Sequence, residues 1–344
     1  VAEGGKYLII SWNTTRECHL KCKHCYRDAG AREQSELSFS EGRELIAEIA
    51  KAGFKILILS GGEPLLREDI FDLTSCAKEA GLRPVFGTTG TTITSEVAKR
   101  LKNAGAACIG ISLDSAGPDM HDDFRQVPGS FAAAIEGMNN CRAAGLPFQV
   151  HTTVVEQNYN EFEVITDLAV ELGAVAHHVF FLVPTGRAKD IESEMLHKKQ
   201  YEQLLHRILK KQRQSGIELK PTCAPQFMRI VRQLGMETRF TRGCLAGTAY
   251  CCILPGGEVH PCPYLPVRVG NVRETPFSEI WRRAEILHQF RSDRFGGKCG
   301  TCKHKDVCSG CRARAYYYTG GDFMAEDPWC LYRKGFSNEA KSCC

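Results

Sequence analysis

With 344 residues the chain is too long for one small core, and it suits either one large α/β barrel with an appendage or two ordinary domains. Lysine and arginine (44) barely exceed aspartate and glutamate (40), so neither a nucleic-acid nor a membrane partner is expected. Its 18 cysteines accompany ample apolar residues, with neither a bilayer-length apolar run nor a leader-like start, which points to metal-binding thiols in a reducing, cytoplasmic setting rather than to disulfides.

The first expected strand is "YLIIS" (7–11), followed by "ECHLKCKHCYRDAG" (17–30), which crowds Cys18, Cys22 and Cys25 at gaps of three and two residues. A helical pattern at 40–52 leads to the strand "KILILS" (55–60) and the turn "SGGEP" (60–64). A helix at 68–79, the strand "PVFGT" (84–88), the turn "TTGT" (88–91) and a helix at 94–104 come next. Then follow "ACIGISL" (107–113) running into Asp114, a helix at 130–144, "PFQVHTTV" (147–154), a helix at 160–172 and "HHVFFLV" (177–183). Strands alternating with helices imply βαβ units and a parallel sheet. Six units are too few to close an eight-stranded barrel, so the expected fold is α/β, an open partial (β/α)6 barrel of the TIM type. Residues 1–190 form this barrel, 191–240 a helical bridge and 241–344 a small cysteine-rich domain.

Alternation predicts the faces. Gly110, Ser112 and Asp114 share one side of the fourth strand, as do Gln149, His151 and Thr153 on the fifth. Small and polar lumen groups leave room for a polar ligand, which should gather at the C-terminal strand ends, where the cysteine loop, the glycines and Glu63 lie. Cys76, Cys108 and Cys141 fall in apolar patterns and read as core residues. A structural zinc site wants four ligands, and His24, adjacent to Cys25, is an awkward fourth. Three thiols can instead hold three irons of an iron–sulfur cube and keep one iron open.

This triplet followed by Tyr26, with GGEP after the second strand, resembles the radical S-adenosylmethionine (SAM) superfamily. The resemblance implies a 4Fe–4S cluster on Cys18, Cys22 and Cys25 whose open iron chelates SAM. It also implies SAM contacts from Tyr26, Gly61, Gly62, Glu63, Thr88, Ser112, Asp114, His151 and Val183, and a 5′-deoxyadenosyl radical formed by reductive cleavage. A low-potential donor such as ferredoxin or flavodoxin would supply the electron.

The second cysteine field, "CLAGTAYCCILPGGEVHPC" onward, suits a zinc ribbon but holds too many thiols for one zinc, and its order resembles the SPASM extension of radical SAM enzymes. That likeness implies two auxiliary 4Fe–4S clusters, three in all. One would use Cys244, Cys262 and Cys311 with Cys251 as fourth ligand, its neighbour Cys252 being the alternative. The other would use Cys299, Cys302, Cys308 and Cys330. Cys343 and Cys344 fit neither set.

"SWNTTREC", "FFLVPTGRAKD", "PTCAPQFMRI", "TRGCLAGTAYC" and "CRARAY" resemble radical SAM enzymes of heme d1 biosynthesis and the alternative heme pathway, which modify acetate or propionate groups of a siroheme-derived iron tetrapyrrole. Such a substrate needs cations, and Arg187, Arg229, Arg312 and Arg314 are the candidates, with Arg239 and Arg242 behind them. Cys223, outside both cysteine fields, reads as a plain buried cysteine or, alternatively, as an active-site thiol or an extra iron ligand. Two rival readings are a peptide-modifying SPASM enzyme, disfavoured because the first strand starts too early for a peptide-recognition domain, and a non-catalytic electron-transfer or zinc protein, which would have no use for an open iron.

Overall fold

A computed structural model of the chain describes residues 8–332; Tyr7 of the first expected strand and the Cys343–Cys344 pair lie outside them. Ten strands form one sheet: β1 (Ile9–Thr15), β2 (Ile56–Gly61), β3 (Arg83–Thr88), β4 (Cys108–Ser112), β5 (Phe148–Val154), β6 (Ala176–Phe181), β7 (Glu218–Thr222), β8 (Tyr250–Ile253), β9 (Glu258–His260) and β10 (Gly270–Asn271). Their order is β10-β9-β8-β1-β2-β3-β4-β5-β6-β7. Strands β1 to β7 run parallel to their neighbours, as a βαβ chain requires.

Helices Phe39–Lys51, Ile70–Glu79, Ser95–Asn103, Ser130–Ala143, Phe162–Leu172 and Lys198–Gln212 return the chain between strands. The first shows why they form. Ser38 caps it in a reciprocal box with Glu41, and Leu45, Ile46 and Ile49 fall on one face. That face packs into the core shared by Ile10, Trp12, Leu57, Leu59, Ile109, Ile111 and Val150. Strand β5 buries Phe148, Val150, Thr152 and Val154 completely and leaves Gln149, His151 and Thr153 half-buried toward the lumen. Among the described residues no helix is long and apolar enough to cross a membrane.

The six expected strands are present, and β7 adds a seventh inside the span expected to be a helical bridge. Its sequence, "ELKPT", carries two charges and a proline and gives no apolar run. Such a strand survives because it is the sheet's edge, where Pro221 spoils no ladder on its far side. On the far side of β1 from β2, β8 joins it in parallel, pairing Ile10 with Cys251 and Ser11 with Cys252, and β9 and β10 extend the sheet to its other edge. The cysteine-rich region therefore continues the barrel's own sheet.

Candidate active site

The lumen encloses a cavity of about 430 Å³, within the range of ligand pockets. Alternate residues of the strands line it: Ser11, Ser60, Gly87, Ser112, His151, His178, Phe180 and Lys220. Gly110 exists to make room for one of them, since a Cβ there would stand 2.3 Å from the His151 ring. His151 stacks on His178 with centroids 5.2 Å apart and bonds Gln149 at 2.9 Å. Burial first, then the neighbouring histidines, hold its pKa far below the usual value, so it is a neutral group in the lumen.

All three cysteines of the triplet face this cavity. Backbone amides point at two of the sulfurs, Leu20 at Cys18 (3.4 Å) and Ala29 at Cys25 (3.5 Å), while Arg125 donates to Cys22 at 3.7 Å. Burial pushes the Cys18 thiol up to about 12 and raises Cys22 as well. Desolvated thiols ringed by N–H donors are what cluster-bound sulfur wants, so the donor set fits an iron–sulfur cube. The His24 ring is taken up by stacking on Phe124, with centroids 4.2 Å apart, and burial lowers its pKa to about 3, so it is a neutral group. When bound there, a cluster supplies the electron that splits SAM.

The glycines of GGEP serve the cysteine loop before any ligand. A Cβ on Gly62 would stand 2.1 Å from the Glu17 carbonyl, and one on Gly61 2.3 Å from that of Thr15. The bare backbone docks instead, Gly62 N to Thr15 O at 2.8 Å and Glu63 N to Glu17 O at 2.7 Å. Tyr26, Gly61, Gly62, Thr88, Ser112, His151 and Val183 all line the cavity. Two expected SAM contacts do not. Glu63 is fully buried, its carboxylate accepting from the Thr88 and Thr89 hydroxyls and the Thr89 and Leu65 amides, which leaves no lone pair aimed at a ligand. Asp114 is likewise sealed, bound by Arg125 (2.7 Å) and the Thr153 amide (2.8 Å). Its effect on the site passes through Arg125, whose other end reaches Cys22.

The arginines expected to meet substrate are occupied. Arg187 donates to the carbonyls of Cys22 and Ala29, clamping the cysteine loop from the segment after β6. Arg229 pairs with Glu202 and Gln233 away from the cavity. Arg312 holds the Phe323 and Ala325 carbonyls. Arg314, wholly buried, is paired with Asp327. Arg242 pairs with Asp293, and Arg239 with Glu218. Each is satisfied by a residue the sequence gives no reason to choose. Arg125, Arg187, Arg242 and Arg312 line the cavity with their guanidinium groups already engaged; Lys220, on the unexpected strand β7, lines it too, and among the described residues its side chain has neither an ion pair nor a hydrogen bond, with the Phe240 ring 5.4 Å away. Burial lowers its pKa, partly offset by Glu218. Its sole sequence signal is a lysine at a lumen-parity position of a strand that its charges and proline disguise.

Of the auxiliary thiols, Cys299, Cys308 and Cys330 act on one another electrostatically, and Cys302 sits beside them in the same loop. The Asp327 amide and Arg312 donate to Cys299, and the His304 amide to Cys302. Cys244, Cys262 and Cys311 converge on the cavity wall. Cys251 does not join them. It is fully buried on the other side of β8, in the core with Ile10, because strand alternation turns its side chain toward the helices. Cys252 faces Asn13, which donates to it at 3.7 Å, and it does not line the cavity wall with Cys244, Cys262 and Cys311.

A profile of the Radical SAM superfamily matches residues 12–169, and one of the SPASM iron–sulfur cluster-binding domain matches 244–312. An AdoMet-dependent heme synthase of Methanosarcina barkeri is 45% identical over 95% of this chain and 97% of its own. A Fe-coproporphyrin III synthase of the same organism is 32% identical over 96% of this chain and 89% of its own. The crystal structure of Streptococcus suis SuiB bound to precursor peptide SuiA superposes with a TM-score of 0.76 at 16% identity, over 95% of this chain and 76% of that one, a likeness of fold. This chain belongs to the radical SAM superfamily, as an enzyme whose barrel carries a SPASM iron–sulfur domain.

Proposed function

We propose that the chain is a heme-forming enzyme that decarboxylates propionate side chains of an iron porphyrin to vinyl groups. The observation that carries this reading is the similarity to an AdoMet-dependent heme synthase along nearly the whole length of both chains. The weaker likeness to a Fe-coproporphyrin III synthase makes acetate removal the second reading.

The chemistry suits the cavity. A hydrogen atom leaves the carbon β to the carboxylate; carbon dioxide then departs, the vinyl double bond forms, and one electron is left for an acceptor. Lys220 presents an ammonium to that carboxylate before it leaves, in a place dry enough for a single charge-assisted contact to orient it. Phe180, Phe240, Pro221 and Tyr264 add flat apolar lining for a macrocycle. Tyr26 stands 4.9 Å from Tyr264, so the SAM end and the proposed substrate wall adjoin. Three 4Fe–4S clusters, SAM and a ferredoxin- or flavodoxin-like donor complete the proposed system in the cytoplasm.

The test is anaerobic incubation of the reconstituted protein with SAM, a low-potential reductant and Fe-coproporphyrin III, read by mass spectrometry. The proposal expects loss of carbon dioxide and two hydrogens for each side chain converted, with 5′-deoxyadenosine in step. No change in that porphyrin, with acetate loss from a siroheme derivative instead, would transfer the assignment to the second reading.

A further inference from the structure

Cys223 follows β7 directly and lies outside both cysteine fields of the sequence. It lines the cavity beside Cys244, Cys262 and Cys311, and the four pack together around Leu265, Ala313 and Tyr264. We propose that Cys223 is the fourth protein ligand of the cluster that Cys244, Cys262 and Cys311 hold, closing it with a thiolate from the residue just past the edge strand β7.

A buried core cysteine would sit as Cys141 and Cys251 do, among apolar side chains of the helix layer. Cys223 faces three other thiols instead. Its backbone is held in the left-handed region, at φ +61°, which a cysteine adopts only at a cost of about 1 kcal/mol or more. The surrounding structure enforces that conformation: Arg314 donates to the Cys223 carbonyl at 3.2 Å. The same Arg314 is locked by Asp327, whose carboxylate also takes the Cys311 amide at 2.8 Å. One ion pair thus fixes the backbones of two members of the set, one from the barrel and one from the SPASM domain. A strained turn supported from both sides is an arrangement that aims a side chain.

Four thiolates leave this cluster without a vacant iron. It is then suited to taking up an electron and unsuited to binding a substrate carboxylate directly, which leaves that task to side chains such as Lys220. The cluster also staples the edge strand β7 to the cysteine-rich domain. This inference rests on the iron–sulfur family and not on the tetrapyrrole reading; iron counts test the one and product mass the other, so their failures are distinguishable.

The experiment compares the anaerobically reconstituted full chain with Cys223→Ala, Cys223→Ser and Cys251→Ala by iron and sulfide analysis and by EPR of the reduced protein. Cys223→Ala is expected to lose about four iron and four sulfide per chain, or to keep them with an iron that takes up added cyanide and shifts its signal, while the SAM-responsive signal of the other cluster persists. Cys223→Ser leaves an oxygen in the ligand position and guards against simple misfolding; one auxiliary signal should shift in g value. Cys251→Ala should match the unsubstituted chain in both measurements. Full iron with unshifted, cyanide-insensitive spectra in both Cys223 variants overturns the proposal, as does loss of a cluster from Cys251→Ala.

Discussion

Arg314→Leu tests whether the ion pair behind the thiol-lined wall holds the fold together. Arg314 and Asp327 are both wholly buried and meet through two contacts, of 3.0 and 2.9 Å. Burial alone would raise the Asp327 pKa; the guanidinium more than reverses that, with the Cys311 and Trp329 amides, and brings it from 3.8 to about 2. A drop of roughly two units is worth about 2–3 kcal/mol, present above the unfolded pKa and lost as pH falls through the folded one. Removing the arginine abandons a buried carboxylate, a loss of about 3–5 kcal/mol, toward the lower figure because the Cys311 and Trp329 amides and Gln226 still donate to it. The sign of the pH dependence then inverts. An unpaired Asp327 has a raised folded pKa, so the deficit is greatest at alkaline pH and shrinks as the solution is acidified toward that pKa. Thermal unfolding of anaerobic protein at mildly acidic and mildly alkaline pH should show Arg314→Leu several degrees lower, with the larger gap at the higher pH. Adding Asp327→Asn should recover most of the loss. A double variant as unstable as the single one, or a deficit indifferent to pH, would refute the reasoning.

Gly62→Ala forces a Cβ to within 2.1 Å of the Glu17 carbonyl and should push the GGEP loop off the cysteine loop; SAM binding, followed by the change it makes in the reduced EPR signal, should weaken sharply, and unaltered binding would mean the loop docks otherwise. Lys220→Met should weaken iron-porphyrin binding by about tenfold to a hundredfold, the usual worth of a charged hydrogen bond, with Lys220→Arg recovering part; Soret titration measures it, and an unchanged dissociation constant removes Lys220 from the substrate wall. Arg125→Leu combined with Asp114→Asn takes away the cation beside Cys22 without stranding a buried charge. The N-terminal cluster should become harder to reduce, seen as a lower midpoint in a potentiometric EPR titration; an unmoved midpoint would limit Arg125 to a packing role.

What could be read from the sequence is what depends on near neighbours. The triplet's spacing, the glycines after β2 and the lumen parity of Ser112 and His151 are local patterns, and the cavity contains all of them. What escaped depends on pairing at long range. Glu63 reads as a free carboxylate until Thr88 and Thr89 close over it from the next strand. Arg187, Arg229, Arg312 and Arg314 read as substrate cations because their partners, from Cys22 to Asp327, lie on other elements. Cys251 looked right by its position in the chain, and one step of strand alternation turned it into the core. Strand β7 was missed because an edge strand tolerates the proline and charges that exclude a central one.

The omission of β7 matters more than its length suggests. Within five residues it sets Lys220 toward the cavity and ends against Cys223, so the free cation and the added thiol share one short edge strand. That edge has a ladder on one side only, from β6, and little intrinsic stability of its own. Its position is fixed instead by what lies past its end: the Arg314–Asp327 pair, gripping the Cys223 carbonyl, and Gln226, which donates to the same carboxylate and accepts from the Tyr201 hydroxyl. The C-terminal region therefore shapes the lumen from two sides, through β8 against β1 and through this buried network against the edge strand β7. A barrel cut away before residue 241 would lose what holds Lys220 in place, along with the β8 ladder against β1.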